Sequence, residues 1–197
     1  ADFADDAEAG VTFLRGHAGI DPGLIGIVGH SEGGMIAPVV AARSSAVAYI
    51  VLLAGPGTPI DELIVTQIGL FALEAGATRE QTQALRAAHA AIHQAVISFE
   101  DRAEIYDAVY GYYDGLTAAE TALLGWPRSL LNAVIESRLT PWWRYFLRFD
   151  PALYLSQVTV PVLALNGNSD LNVPAAENLS GIARSLNAAD NGDHTEV

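Results

Sequence analysis

One serine in this chain stands where a nucleophile would stand. Residues 29–34 read Gly-His-Ser-Glu-Gly-Gly and follow a short apolar run, residues 24–28. An alanine-rich segment comes next, so the pattern predicts a strand, a sharp turn and a helix. On such a turn Ser31 would project its hydroxyl above the carboxyl edge of a sheet, where it can attack a carbonyl carbon. Gly29 and Gly33 on either side would allow strand, turn and helix to pack closely.

The GHSEGG motif resembles the nucleophile elbow of the α/β-hydrolase family, particularly of bacterial serine esterases and prolyl-oligopeptidase-like hydrolases. The resemblance implies that Ser31 is the nucleophile and that the backbone N–H of Glu32 is one donor of the oxyanion hole. A helix that begins there would add a favourable dipole for the negative charge that develops during the reaction. The implied chemistry is acyl transfer through the serine, with no metal or organic cofactor.

The same resemblance implies a carboxylate after a later strand. In these hydrolases the order along the chain is serine, acid, histidine. Residues 160–166 form an apolar run that predicts a buried strand, and Asp170 follows it in a turn that ends at Val173 and Pro174. Asp170 is therefore the expected triad acid. The alternative is a turn aspartate that makes purely local hydrogen bonds.

The histidine of the triad is the member that the sequence does not place. His194 begins the last predicted strand at the edge opposite Ser31, which predicts a separation of about 15 Å or more. The resemblance puts the catalytic histidine after that strand, so the base is expected beyond Val197, with His194 as the alternative. The second oxyanion donor and a strand beside residues 24–28 are likewise expected upstream. On this interpretation the 197 residues are an inactive fragment of the domain.

The other four histidines have weaker claims on the chemistry. His30 precedes the serine, and its side chain is expected to point away and help pack the turn. His89 and His93 stand one helical turn apart, as metal ligands can, but they lack the glutamate of a zinc protease motif. The sequence favours a helix surface for both. His17 lies in a predicted loop without an identifiable partner.

A parallel sheet is needed to position these residues. Residues 48–54 form a second continuous apolar run, and strands of this kind separated by helices imply right-handed crossovers with helices on both faces of the sheet. The predicted fold class is α/β, with a parallel-sheet α/β-hydrolase core in residues 1–57 and 151–197. Residues 58–150 are predicted to form a helical cap.

The predicted cap carries clear helix starts and many aromatic residues. Thr78 with Gln81, and Thr117 with Glu120, both fit a capping box. Ten of the sixteen Phe, Trp and Tyr residues lie between positions 106 and 149. Most of them are expected to pack the cap onto the core, and a few to line a substrate pocket.

Composition narrows the range of partners. Ten arginines stand against 23 acidic residues, and the resulting net charge of −13 disfavours nucleic acid and anionic membranes. No apolar stretch approaches the roughly 18 residues that span a bilayer. The chain has no cysteine, so the compartment stays open, as does the oligomeric state. A small-molecule ester or a short peptide is the expected substrate.

Three functions fit the motif. The first is a serine hydrolase of carboxylic esters, and the second is a peptidase in which Glu32 or acidic cap residues bind a substrate amino group. The third is a noncatalytic α/β-hydrolase domain that binds through its cap. Acyl transfer to an acceptor other than water is compatible with the same residues. Assays on esters and aminoacyl amides would separate the first two, and a histidine after the last strand would count against the third.

Overall fold

The structure, a computed structural model, describes residues 2–189 and 194–196. The chain divides into two compact units. Unit 1 comprises Ala1–Pro59 and Asp150–Val197, and unit 2 comprises Ile60–Phe149.

Unit 1 is built around a parallel sheet. Its elements in the described residues are α1 (Asp2–Arg15), β1 (Gly26–His30), α2 (Glu32–Arg43), β2 (Tyr49–Leu53), α9 (Ala152–Leu155), β3 (Val162–Leu165), α10 (Ala175–Ala188) and β4 (His194–Glu196). The strands lie in the order β1-β2-β3-β4, and each neighbouring pair is parallel. The predicted α/β class and the parallel sheet are confirmed.

Helices of unit 1 cover one face of this sheet. Ile50, Leu52 and Val162 lie on that face and are at most 4% exposed, and α2, α9 and α10 form one layer there. On the opposite face Val28 is 64% exposed and Leu163 is 36% exposed. The expectation of helices on both faces is wrong for the described part of unit 1. Because the strand order never reverses, successive right-handed crossovers return on the same side of the sheet.

Unit 2 is helical in its described residues. Its elements are α3 (Ile60–Glu74), α4 (Arg79–Ser98), α5 (Arg102–Asp114), α6 (Ala118–Leu124), α7 (Arg128–Arg138) and α8 (Pro141–Leu147). The capping boxes that start α4 at Thr78 and α6 at Thr117 are confirmed, each with both reciprocal hydrogen bonds. Ile60 N–H donates to the Phe149 carbonyl at 3.1 Å, so the first and last residues of the unit are joined.

The core of unit 2 is formed by the inward faces of its helices. Eight buried apolar residues form one cluster, namely Ile92, Ala95, Val96, Ile105, Val109, Leu131, Ile135 and Leu147. Trp126 and Trp143 pack against this cluster, so these two side chains pack within unit 2, and the expectation that most aromatic residues of this segment pack the cap onto the core stays a prediction. Among the residues that the structure describes, no helix has both the length and the apolar composition needed to cross a bilayer.

Candidate active site

Ser31 occupies a sharp turn between β1 and α2. Its backbone φ of 53° and ψ of −115° lie in a region that non-glycine residues rarely adopt. The turn is held by the Ser31 N–H, which donates to Leu53 O at 2.9 Å, and by the Gly34 N–H, which donates to Ser31 O at 2.8 Å. The side chain makes no capping hydrogen bond to α2, so the hydroxyl is not used to start the helix.

Close backbone contacts explain the glycines around this turn. A Cβ added at Gly29 would lie 2.0 Å from Gly33 O, and one added at Gly34 would lie 2.6 Å from the Gly55 Cα. A Cβ at Gly33 would meet nothing within 4 Å. The expected steric role is therefore right for Gly29 and wrong for Gly33. Gly34 fills that role because it is the residue of α2 that faces β2 and the turn after it.

Glu32 is the first residue of α2, and its N–H is the backbone donor that the resemblance assigns to the oxyanion hole. N–H groups in the first turn of a helix point out of its N-terminal end, where the helix dipole favours negative charge. The residue is half-buried and directly follows Ser31. An oxyanion formed on a carbonyl attacked by the serine would develop near this end of the helix.

A hollow of about 450 Å³ opens at the carboxyl edge of the sheet, within unit 1. It is lined by His30, Leu53, Ala54, Leu165, Asn166, Gly167 and Asn168. His30 is exposed and faces this hollow, so the expectation that it packs the turn is wrong. As the last residue of the sheet's edge strand, it projects on the same face as Val28, the face that α2, α9 and α10 leave open.

Ala54, directly after β2, is a second strained residue at this edge. Its φ is 48°, and in the described chain Ala54 and Ser31 are the two non-glycine residues with positive φ. The Ala54 N–H donates to Leu165 O at 2.8 Å, which holds the residue between the ends of β2 and β3. Sequence reasoning did not single out Ala54, because alanine does not signal positive φ.

Asp170 lies in the loop after β3, at the same edge as Ser31. Its Oδ1 accepts the N–H groups of Asn172 at 2.8 Å and Val173 at 3.0 Å, and its own N–H donates to Gly167 O at 3.0 Å. These are the local hydrogen bonds of the turn-aspartate alternative. They do not exclude the triad role, since both side-chain bonds fall on one carboxylate oxygen.

The strand register shows how the site residues are distributed. Ser31 and Asp170 both follow carboxyl ends of strands, β1 and β3, whose axes lie about 10 Å apart with β2 between them. His194 pairs with Val162, at the amino end of β3. Four residues along the strands and three strands across separate it from Ser31, which corresponds to roughly 19 Å. The sheet thus brings serine and aspartate to one edge and starts β4 at the other.

His89 and His93 are inside unit 2, so the expectation that they lie on a helix surface is wrong. They are 7% and 1% exposed. Burial is the main cause that lowers the pKa of His89 to about 3 and that of His93 to about 4. His89, His93, Ile92 and Val96 are spaced so that they share one face of α4. This spacing predicts burial of the face, but two of its four residues are polar and the pattern was therefore missed.

The surroundings of this histidine pair do not favour a metal ion. His93 Nδ1 lies 3.3 Å from Asp61 O, so the hydrogen is assigned to Nδ1 and Nε2 is an acceptor. The nearby Arg138 guanidinium lowers the pKa of both imidazoles and would repel a cation. The described residues contain no group of three or more His, Asp or Glu that could hold a metal. His17, in an exposed loop, accepts the Gly19 N–H through Nδ1 at 3.2 Å.

Similar proteins are found among solved structures. VinJ is 20% identical over 96% of this chain and 62% of its own, with a TM-score of 0.46. Proline iminopeptidase from Mycobacterium smegmatis is 18% identical over 99% of this chain and 61% of its own, with a TM-score of 0.49. An α/β fold family hydrolase from Bacillus anthracis str. Sterne is 17% identical over 98% and 65%, with a TM-score of 0.47. The chain spans less than two thirds of each of these structures.

Sequence comparison gives a family. No curated protein matches the chain significantly. Residues 7–109, more than half of the 197, match the family described as BAAT / Acyl-CoA thioester hydrolase C terminal. The matched segment includes the turn at Ser31 and both strands that flank α2. The chain belongs to the BAAT / acyl-CoA thioester hydrolase C-terminal family.

Proposed function

We propose that this chain carries the nucleophile and the acid of a serine hydrolase with the α/β-hydrolase fold, acting on carboxylic esters. The observation that carries the proposal is the strained turn at Ser31. A serine held at φ 53° between a strand and a helix N-terminus, with its hydroxyl unused as a cap, is costly to the fold. That geometry is the one a nucleophile elbow requires.

The proposed reaction has two acyl-transfer steps. Ser31 Oγ attacks the substrate carbonyl carbon while a base takes its proton, and the Glu32 N–H stabilises the oxyanion. The bond to the leaving group breaks, and the leaving group departs with that proton. Water, deprotonated by the same base, then attacks the acyl-enzyme, which releases a carboxylic acid and restores the serine hydroxyl.

We place the base on a histidine beyond Val197, oriented by Asp170. Such a residue would follow β4 and so return to the edge that holds Ser31 and Asp170. His194 itself begins β4 at the other edge, and His89 and His93 are enclosed by the helices of unit 2. The second oxyanion donor is placed before residue 1, and unit 2 is proposed as the cap.

The family suggests a thioester as a further substrate of the same site. A thiol has a pKa of about 8.5, far below that of an alkyl alcohol, so it leaves without full protonation. An acyl thioester therefore depends less on the general acid than an alkyl ester does. The open hollow beside the elbow, whose walls include Leu53 and Leu165, offers apolar surface to an acyl chain.

The test compares hydrolysis of short acyl oxoesters, acyl thioesters and aminoacyl amides by the full-length protein that contains this chain. Ser31→Ala should lower kcat/KM for the true substrate by about 1,000-fold or more. Ser45→Ala, in an exposed turn after α2, is the matched control and should retain activity. A fluorophosphonate probe should label the wild type at Ser31 and not the Ser31→Ala variant.

Each outcome selects among the candidate functions. Turnover of amides in preference to esters would replace the esterase with a peptidase. Labelling and turnover that persist in Ser31→Ala would overturn the assignment of the nucleophile. A full-length protein that is neither labelled nor active, and has no histidine after β4, would leave a noncatalytic binding domain.

A further inference from the structure

We infer that Asn166 is a positioning residue for Asp170, because its amide closes the loop that carries the carboxylate. The inference rests on the proposed function, in which Asp170 is the triad acid. Asn166 directly follows β3, and its Nδ2–H donates to Val173 O at 2.9 Å. This one bond spans seven residues and joins the two ends of the loop.

Val173 links Asn166 to the carboxylate through a single residue. Its carbonyl accepts from Asn166, and its N–H donates to Asp170 Oδ1 at 3.0 Å. Val173 is 3% exposed, so its side chain is anchored in the interior of unit 1. The Asn166 amide therefore helps to fix the orientation of the residue whose N–H holds Asp170.

The hydrogen bonds orient the carboxylate toward a defined task. Asn172 and Val173 both donate to Oδ1. Oδ2 is then the oxygen that can accept the Nδ1–H of a triad histidine. A different conformation of this loop would turn Oδ2 away from the triad histidine, and the histidine would then be misdirected.

Asn166 is also part of the wall of the hollow, which it lines together with His30, Leu53 and Ala54. Its Oδ1 is buried and has no hydrogen-bond partner among the described residues. A buried acceptor without a partner is costly, so Asn166 is not optimised for stability alone. A residue kept at such a cost at the edge of a site is a candidate for a functional role.

The test uses the full-length protein with Asn166→Asp, which keeps the shape and removes the donor to Val173. We expect kcat to fall about 10- to 100-fold while KM changes less than about two-fold, because the acid is misplaced and the substrate is not. Amide exchange of Val173 should accelerate. Asn187→Asp, the same chemical change at an exposed position of α10 outside the hollow, is the matched control and should alter neither quantity.

A double-mutant cycle separates positioning from a merely structural role. If Asn166 acts through the acid, Asn166→Asp should cost much less in an Asp170→Asn background than in the wild type. Faster Val173 exchange with unchanged kcat would overturn the inference, and so would additive losses in the cycle. A wild type without Ser31-dependent turnover would instead overturn the proposed function, and the inference with it.

Discussion

The energetically unfavourable features of unit 1 are in its backbone, whereas those of unit 2 are in its buried side chains. In unit 1 the strain is in the backbone, at the positive φ angles of Ser31 and Ala54. In unit 2 the positive φ angles of the described residues fall on Gly76 and Gly125, where they cost little. Unit 2 instead contains four of the five buried side-chain atoms without a hydrogen-bond partner in the described chain, namely Thr82 Oγ1, His89 Nδ1, His93 Nε2 and Arg138 Nε.

The two units therefore differ in how their unfavourable features respond to pH. Backbone strain in unit 1 is concentrated at one sheet edge, beside the hollow and the proposed nucleophile. Such strain does not depend on pH. The buried imidazoles of unit 2 are uncharged near neutral pH. Because they resist protonation while the unfolded chain does not, the free energy of unfolding falls as the solution is acidified. Conditions and substitutions can therefore be chosen that act on one unit and spare the other.

The largest expected effect is acid destabilisation of unit 2. Unfolded histidines have a pKa of about 6.5, whereas burial lowers the pKa of His89 to about 3 and of His93 to about 4. Below pH 6.5 the unfolded state therefore binds protons that the folded state does not. The free energy of unfolding should fall by up to about 1.4 kcal/mol per pH unit for each histidine as pH decreases toward those values.

Urea unfolding followed by tryptophan fluorescence between pH 6.5 and 5 measures this slope. All three tryptophans lie in unit 2, so the signal reports on that unit. His89→Gln and His93→Gln should each reduce the slope, and the exposed His17→Asn should not. An unchanged slope in both buried variants would show that other groups cause the pH dependence.

The next effect is steric and belongs to unit 1. Gly29→Ala places a Cβ about 2.0 Å from Gly33 O, a backbone atom that cannot move without shifting α2. We expect a loss of about 3 kcal/mol in the free energy of unfolding, measured by urea titration with circular dichroism. Gly33→Ala is the matched control because it has open space, and in a helix it should stabilise by up to about 1 kcal/mol. Equal losses in both variants would contradict the close packing of the turn at Ser31.

The smallest effect tests the strain at Ala54. Glycine tolerates positive φ, so Ala54→Gly should raise the free energy of unfolding by about 0.5 kcal/mol, the difference between relieved strain and greater freedom of the unfolded chain. Ala48→Gly, before β2 and without positive φ, should lower it by about 0.5 to 1 kcal/mol. The same chemical change with opposite signs would locate the strain at the end of β2. Two losses of similar size would show that Ala54 is not strained.

The sequence predicted those features that neighbouring residues determine. The strand, turn and helix around Ser31 and both capping boxes depend on local residue types. The burial of His89, the one-sided cover of the sheet and the conformation of Ala54 depend on partners that are distant in sequence. The sequence places Asp170 after a strand, whereas the role of Asn166 becomes visible only through its hydrogen bond to Val173.

The hydrogen bond between Ile60 and Phe149 has a consequence for the order of folding. β2 and β3 are adjacent in the sheet, yet the whole of unit 2 lies between them in the chain. Pairing these strands around a disordered loop of about 110 residues would cost about 4 kcal/mol of chain entropy. Once unit 2 has folded, the N atom of its first residue, Ile60, is held 3.1 Å from the carbonyl oxygen of its last residue, Phe149. Most of that entropy has then already been lost. The inserted unit thus brings together the two segments that it separates in sequence, which gives it a part in folding independent of any contact with substrate.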